Sequence, residues 1–194
     1  MRKFMLVGKT GVGKSSFINS TFGKYIARTS EYESCTKIVE HYAYNTPLGS
    51  LCLIDTPGLA EDNRIIDEAY LDLIKKNVDL EQIDALIYVT RLDETRFRAD
   101  EKQTLRLLTN RLGSSIWARS WLVLTFAASI PEDQRKEATQ NRVRHIEAFL
   151  QEITSENNLN PQFKRFQFKL RVDNVVRGWT KDGAPILPLL TKKN

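Results

Sequence analysis

Cysteine and histidine are scarce in this chain, two of each in 194 residues. Cys35 and Cys52 form no Cys-x-x-Cys and there are too few histidines to complete a zinc site, so neither a disulfide framework nor a structural metal is favoured and a reducing compartment fits. Long apolar runs are missing as well. The longest span four to six residues, far below the roughly 20 that cross a bilayer, and the first begins too early for a signal-peptide pattern to precede it. The expectation is a soluble, cytoplasmic chain with no transmembrane segment, peripheral attachment to a membrane being left open. Internal repeats and low-complexity linkers are absent too, and 194 residues suit one domain with a real core, with 184–194 as a tail or the start of a last helix. Net charge is +5 but uneven: residues 1–97 carry 12 Lys and Arg against 14 Asp and Glu, residues 98–194 carry 17 against 10. A basic half suits an anionic surface, yet its charges are scattered and never run longer than two, so no nucleic-acid partner is expected.

What is present is concentrated at residues 8–15, Gly-Lys-Thr-Gly-Val-Gly-Lys-Ser, which fit G-x-x-x-x-G-K-[ST] without a mismatch. Glycines at these places let a loop curl until successive backbone N–H groups face a phosphate chain at a helix N-terminus. Lys9, Thr10, Gly11, Val12, Gly13, Lys14, Ser15 and Ser16 are therefore the candidate phosphate cradle, with Lys14 as cation for the terminal phosphates and the Ser15 hydroxyl as a ligand for Mg²⁺. An apolar run at 4–7 predicts a buried strand before it, and 16–22 can continue as a helix.

Further along, 24–35 is polar and aperiodic, a long loop of the kind that is usually functional. Residues 37–45 alternate as an edge strand does, turn at 46–49, and return as the apolar run 51–54, an antiparallel hairpin. Asp55-Thr-Pro-Gly58 leaves the carboxyl end of that run, where ligands of open α/β sheets lie. There Asp55 can orient a Mg²⁺-bound water and Gly58 can present its N–H to a γ-phosphate. Helical spacing follows at 62–76 (Ile65, Ile66, Ala69, Tyr70, Leu73, Ile74), a strand at 85–89, a charged loop at 91–96, and a helix at 100–112 with Leu105, Leu108 and Leu112 inward, stopped by Gly113. A strand at 121–126, a long helix from Pro131 (Val143, Ile146, Phe149, Leu150 and Ile153 on one face) and an alternating edge strand at 166–172 complete the pattern. Neither His41 nor His145 lies in a setting that suggests a ligand or base. The fold class is α/β, three layers, with a mostly parallel six-stranded sheet and one antiparallel hairpin strand.

The order of phosphate loop, polar loop with a threonine before an edge strand, then Asp-x-x-Gly resembles the switch GTPases of the P-loop class. That resemblance makes Thr36 the residue closing over Mg²⁺ and the γ-phosphate, preferred to Thr29, Ser30 and Ser34 because it stands just ahead of the strand. The usual Asn-Lys-x-Asp guanine signature is absent after the strand at 121–126. Instead, residues 84–96 (Asp-Ala-Leu-Ile-Tyr-Val-Thr-Arg-Leu-Asp-Glu-Thr-Arg), Ile116-Trp117 and 121–131 resemble the chloroplast import receptor GTPases, the Toc family, which are related to the GIMAP GTPases. The likeness runs from Lys3 to about Trp179 and implies one G domain over 1–194, binding GTP or GDP with Mg²⁺.

Carried over by position, the family's base-recognition His falls on Phe126, and its Glu-Asn pair on Asp173 and Asn174. Phe126 keeps a ring to stack on a purine without the polar edge, or is a plain core aromatic. Asp173 can accept from guanine N1–H and N2–H, which adenine lacks, or is a solvated strand end. Arg96, with Arg91 and Arg98 as rivals, matches the arginine that reaches a partner subunit's nucleotide in a face-to-face dimer, as a catalytic group or a dimer contact. Leu59 stands where Ras-like enzymes hold a water-orienting Gln, which implies slow hydrolysis. The catalytic set is thus Lys14, Thr36, Gly58 and Arg96, and the metal set Ser15, Thr36 and Asp55. The leading expectation is a slow Mg²⁺-dependent GTPase whose nucleotide state controls homodimerisation or a protein partner at the switch segments. The alternatives are a nucleotide-regulated binding module with negligible turnover and an NTPase of relaxed base choice.

Overall fold

A computed structural model of the chain describes residues 1–29, 37–46, 49–59 and 64–155. The first apolar run forms the centre of β1 (Arg2–Val7), which pairs in parallel with β3 (Gly49–Asp55) on one side and β4 (Ala85–Arg91) on the other. Beyond β4 lies parallel β5 (Ser120–Thr125). On the opposite flank β2 (Glu40–Thr46) runs antiparallel to β3, in register from Glu40 against Asp55 to Thr46 against Gly49. The order is β2-β3-β1-β4-β5.

Successive strand residues point to opposite faces, so a strand covered on both sides must be apolar throughout. That is why these strands read as unbroken apolar runs. On one face Met5, Val7, Ile54, Leu86, Tyr88, Leu122 and Leu124 pack under α2 (Arg64–Asn77), α3 (Ala99–Leu112) and α4 (Glu132–Ser155). On the other, Leu6, Leu53, Ile87, Val89 and Val123 meet Phe17, Ile18 and Phe22 of α1 (Lys14–Phe22). These are the expected three layers, and they bring the carboxyl ends of β1, β3, β4 and β5 to one edge.

Several boundaries and faces differ from the sequence-based expectation. β2 starts at Glu40 rather than 37, leaving Ile38 exposed. α2 buries Leu71 and Ile74, with Tyr70 and Leu73 half-buried and Ala69 exposed, so its inward face is turned from the expected one. Gly113 ends α3 as expected, with its N–H on the Thr109 carbonyl at 3.0 Å and φ of 89°. β5 stops at Thr125, one residue short of Phe126, whose left-handed φ of 56° swings its ring out of the strand. Residues 166–172, the expected sixth strand, the tail 184–194, and Thr36, Asp173 and Asn174 lie outside the described residues, as do Ser30 and Ser34.

Candidate functional site

The loop between β1 and α1 curls through Gly8, Gly11 and Gly13, all at positive φ, and Gly13 caps α1 in a left-handed conformation. Gly8 has no alternative: a Cβ there would stand 2.3 Å from the Val89 carbonyl oxygen. Lys14, only 6% exposed, folds back over the loop and donates to the carbonyls of Lys9 (3.0 Å) and Gly8 (3.3 Å). A buried ammonium held by neutral carbonyls is a strong anion site. Ser16 is half-buried one residue further along α1. Thr125 Oγ1 donates to the Val12 carbonyl at 2.6 Å and lies 3.1 Å from the Thr90 carbonyl, tying the loop to β4 and β5.

The Asp-Thr-Pro-Gly segment lies against this loop. Ser15 Oγ donates to Asp55 Oδ2 at 2.6 Å, and the Asp55 side chain is buried. Thr56 Oγ1 donates to the Leu6 carbonyl at 2.6 Å, and Leu59 and the phosphate loop exchange backbone bonds, Thr10 N–H to Leu59 O at 2.9 Å and Leu59 N–H to Gly8 O at 3.1 Å. Such contact requires Gly58, because a Cβ would fall 2.3 Å from Thr10 Oγ1 and 2.5 Å from Thr10 Cα. A hydroxyl and a carboxylate, both hard oxygen donors, converge here, and that donor set fits Mg²⁺. Leu59 is 1% exposed in the core, so its side chain has no access to an attacking water.

The loop leaving β4 forms the other wall. Arg91 grips Asp93 through two bonds of 2.9 and 2.7 Å and lays its guanidinium 3.8 Å above the Phe126 ring, which is half-buried beside Gly13. Lys9 pairs with Asp100 at 2.5 Å and with Glu94 at 3.6 Å. Burial pushes the Asp100 carboxyl up, but the Lys9 hydrogen bond and charge more than offset it and hold the group below its ordinary value. Beneath the loop Arg142 of α4 and Glu101 of α3 meet at 2.5 Å, both almost fully buried, with Thr90 and Tyr88 donating to Glu101. Burial and the adjacent Glu101 charge together push the Tyr88 hydroxyl well above its ordinary range. Arg96 is exposed with no ion-pair partner among the described residues, as is Arg98, whereas Arg91 is committed to Asp93 and Phe126.

Residues 2–161 match the model of the AIG1 family. The chain belongs to the AIG1 family. Translocase of chloroplast 33 of Arabidopsis thaliana is 36% identical over 132 residues, a stretch covering 67% of this chain and 43% of that protein. This chain thus spans less than half the length of that curated relative. Toc33 from Arabidopsis thaliana in complex with GDP and Mg²⁺ superposes with a TM-score of 0.73 at 29% identity, covering 96% of this chain and 76% of that one. A structure from the chloroplast translocon components atToc33 and psToc159, for whose GTPase activity dimerisation is important, gives 0.76 at 26% identity, with 96% and 76% covered.

For this AIG1-family chain the structure joins the phosphate loop, Asp55 and Gly58 at one edge and sets Phe126 beside Gly13. Arg96 is exposed and makes no side-chain bond to them. Three residues that sequence reasoning passed over support the site's loops: Thr125, Glu101 and Arg142, while Lys9, expected in the cradle, also uses its side chain to hold Glu94 and Asp100. Asn19 is a fourth such residue. Fully buried in α1, it accepts from the N–H groups of Ile26 and Ala27 and donates to the Ala27 carbonyl, all at 2.8 Å, which fixes the start of the long polar loop. Glu101 and Arg142 did carry a signal, each being a charge on the apolar stripe of its helix.

Proposed function

We propose that this chain is the G domain of a guanine-nucleotide-binding protein that hydrolyses GTP to GDP and phosphate with Mg²⁺, slowly in isolation, its nucleotide state controlling dimerisation or partner binding at the switch segments. The observation that carries this reading is the meeting of Ser15 Oγ and Asp55 Oδ2 at 2.6 Å beside buried Lys14, with Gly58 pressed against Thr10. The GDP and Mg²⁺ complex of Toc33, which shares the fold at 29% identity, supports it.

In this reading the backbone of residues 9–16 and the Lys14 ammonium orient the phosphates, while the Gly58 N–H meets the γ-phosphate. Ser15, Asp55 and Thr36 would hold the cation, which when bound neutralises charge on the phosphate oxygens. Water attacks the γ-phosphorus and GDP leaves. Leu59 orients no water, so transition-state charge is met by Arg96 of a second copy, in keeping with relatives for whose GTPase activity dimerisation is important. Base choice rests on Phe126, offering a purine the ring face that the Arg91 guanidinium does not cover, and on the Asp173 carboxylate as acceptor, with Asn174 beside it in the chain. Residues 1–194 make one such domain, placed on the cytoplasmic side and peripheral to a membrane; relatives named as translocases of chloroplast support the membrane-peripheral part of that placement.

Single-turnover GTP hydrolysis across a range of protein concentrations tests this. The rate per protomer should rise with concentration, and Arg96→Ala should abolish the rise. Complete absence of hydrolysis at every concentration would sink the enzyme reading and favour the binding module, which the buried Leu59 also suits. The guanidinium already stacked on Phe126 favours a test of base choice as well. GTP should outcompete ATP, and Asp173→Ala should erase the difference; equal affinity in the parent would remove the guanine assignment.

A further inference from the structure

The loop between β4 and α3 carries the exposed Arg96, yet it is fastened more firmly than an ordinary surface connection. Arg142 reaches up from α4 and donates through Nη1 to the carbonyls of Glu94 (3.2 Å) and Arg96 (3.4 Å), while Nη2 serves Thr90 Oγ1 (2.8 Å) and Glu101 (2.5 Å). The next residue, Phe97, is wedged edge-on against Phe149 at 5.6 Å and stacked on His145 at 6.3 Å. On the opposite side Lys9 of the phosphate loop holds Glu94 and Asp100. A guanidinium presents several donors in a rigid fork, so one side chain can bond a carboxylate on one helix and two carbonyls of a loop together; a lysine ammonium cannot span that set.

We infer that Arg142, seated on Glu101, is a positioning residue that sets the height and orientation of the Arg96 backbone above the nucleotide face, so that Arg96 is presented to a second copy of this chain already in place. The inference rests on the proposed role of Arg96 in trans. Preorganisation is what such a role requires, because an arginine on a slack loop loses on association the freedom that a fixed one has already given up. The buried pair is thereby more than core packing. It spends its donors on the two carbonyls that bracket residue 95, within the loop that carries the exposed side chain. Lys9 links the same loop to the candidate phosphate cradle through Glu94.

The test compares the parent with Arg142→Lys, which keeps the positive charge on Glu101, and with Arg96→Ala and the double variant. Arg142→Lys should keep fluorescent GDP affinity, yet lose about a hundredfold in the concentration-dependent part of GTP turnover, the loss that a misplacement of about 1 Å produces. The double variant should be no slower than Arg96→Ala. Retention of the full concentration-dependent rate in Arg142→Lys, or additive losses in the double variant, would overturn the inference. Hydrogen exchange read on the amides of 94–98 separates it from the function on which it rests. Faster exchange there in Arg142→Lys, with β4 amides unchanged, supports positioning even if Arg96→Ala proves harmless, in which case the trans role fails instead. Unchanged exchange at 94–98 sinks the positioning role whatever Arg96 does.

Discussion

Replacing Glu101 with leucine should be among the most damaging single changes available in this chain. Glu101 is 1% exposed and Arg142 3%, so the substitution strands a guanidinium with no counter-charge in a region that water does not reach. It also leaves the Tyr88 and Thr90 hydroxyls without their carboxylate acceptor. Removing one member of a buried pair costs about 3–5 kcal/mol, whereas an exposed pair is worth about 0–1 kcal/mol. Arg106 and Glu152, at 45% and 58% exposure, supply that exposed control between the same two helices. The assay is urea unfolding at neutral pH, followed by far-ultraviolet dichroism and by fluorescence of buried Trp117, coincident curves showing that two states suffice. Glu101→Leu should lose about 3–5 kcal/mol, or about 6–20 °C in Tm for a domain of this size, and Glu152→Leu less than about 1 kcal/mol. Converting both partners, Glu101→Leu with Arg142→Met, should recover much of the loss because no charge is left buried. A Glu101→Leu loss no larger than that of Glu152→Leu would refute the view that this pair is buried and charged.

Other substitutions report on the site itself. Gly58→Ala places a methyl 2.3–2.7 Å from three Thr10 atoms, two of them backbone, and should lower stability by about 1–3 kcal/mol, read by thermal shift, and weaken GTP binding; a neutral effect would contradict the close approach. Ser15→Ala removes the hydroxyl bonded to Asp55 and should shrink the gain in GDP affinity that Mg²⁺ confers over a chelator, by about 1.5–3 kcal/mol, an unchanged gain excluding Ser15 from the cation site. Asp100 titrates below its ordinary value of 3.8 in the folded protein, so its contribution is present above about pH 4 and vanishes as pH falls through the folded value. Asp100→Asn should therefore be less stable than the parent at pH 7 and converge with it in acid; a difference that persists at low pH would remove the pairing with Lys9.

The candidate phosphate site was legible in the chain because its parts are local. Eight consecutive residues make the cradle, and Asp55 and Gly58 lie three residues apart at the end of an apolar run, so motif spacing alone predicts that they meet at one sheet edge. Glu101 and Arg142 were half legible. Each occupies the apolar stripe of its helix, with 101, 105, 108 and 112 at the same spacing as 142, 146, 149 and 153. A charge at such a place calls for a buried partner, but nothing local says which. Arg91 and Phe126 were not legible as a pair, because their stacking depends on Phe126 leaving β5 through a left-handed turn that a phenylalanine rarely adopts.

By itself, then, the sequence determined the α/β class, the inward faces of α3 and α4, and the loop, carboxylate and glycine of the candidate phosphate site, since these follow from periodicity and short-range backbone geometry. Only the tertiary structure decided which face α2 turns inward, that Leu59 is buried, that Arg91 is taken up by Phe126 and Asp93, and that Arg96 rides on a loop held by Arg142 and Lys9. Those outcomes depend on contacts across tens of residues, where packing and the cost of an unpaired buried charge choose the partner and local propensity is silent.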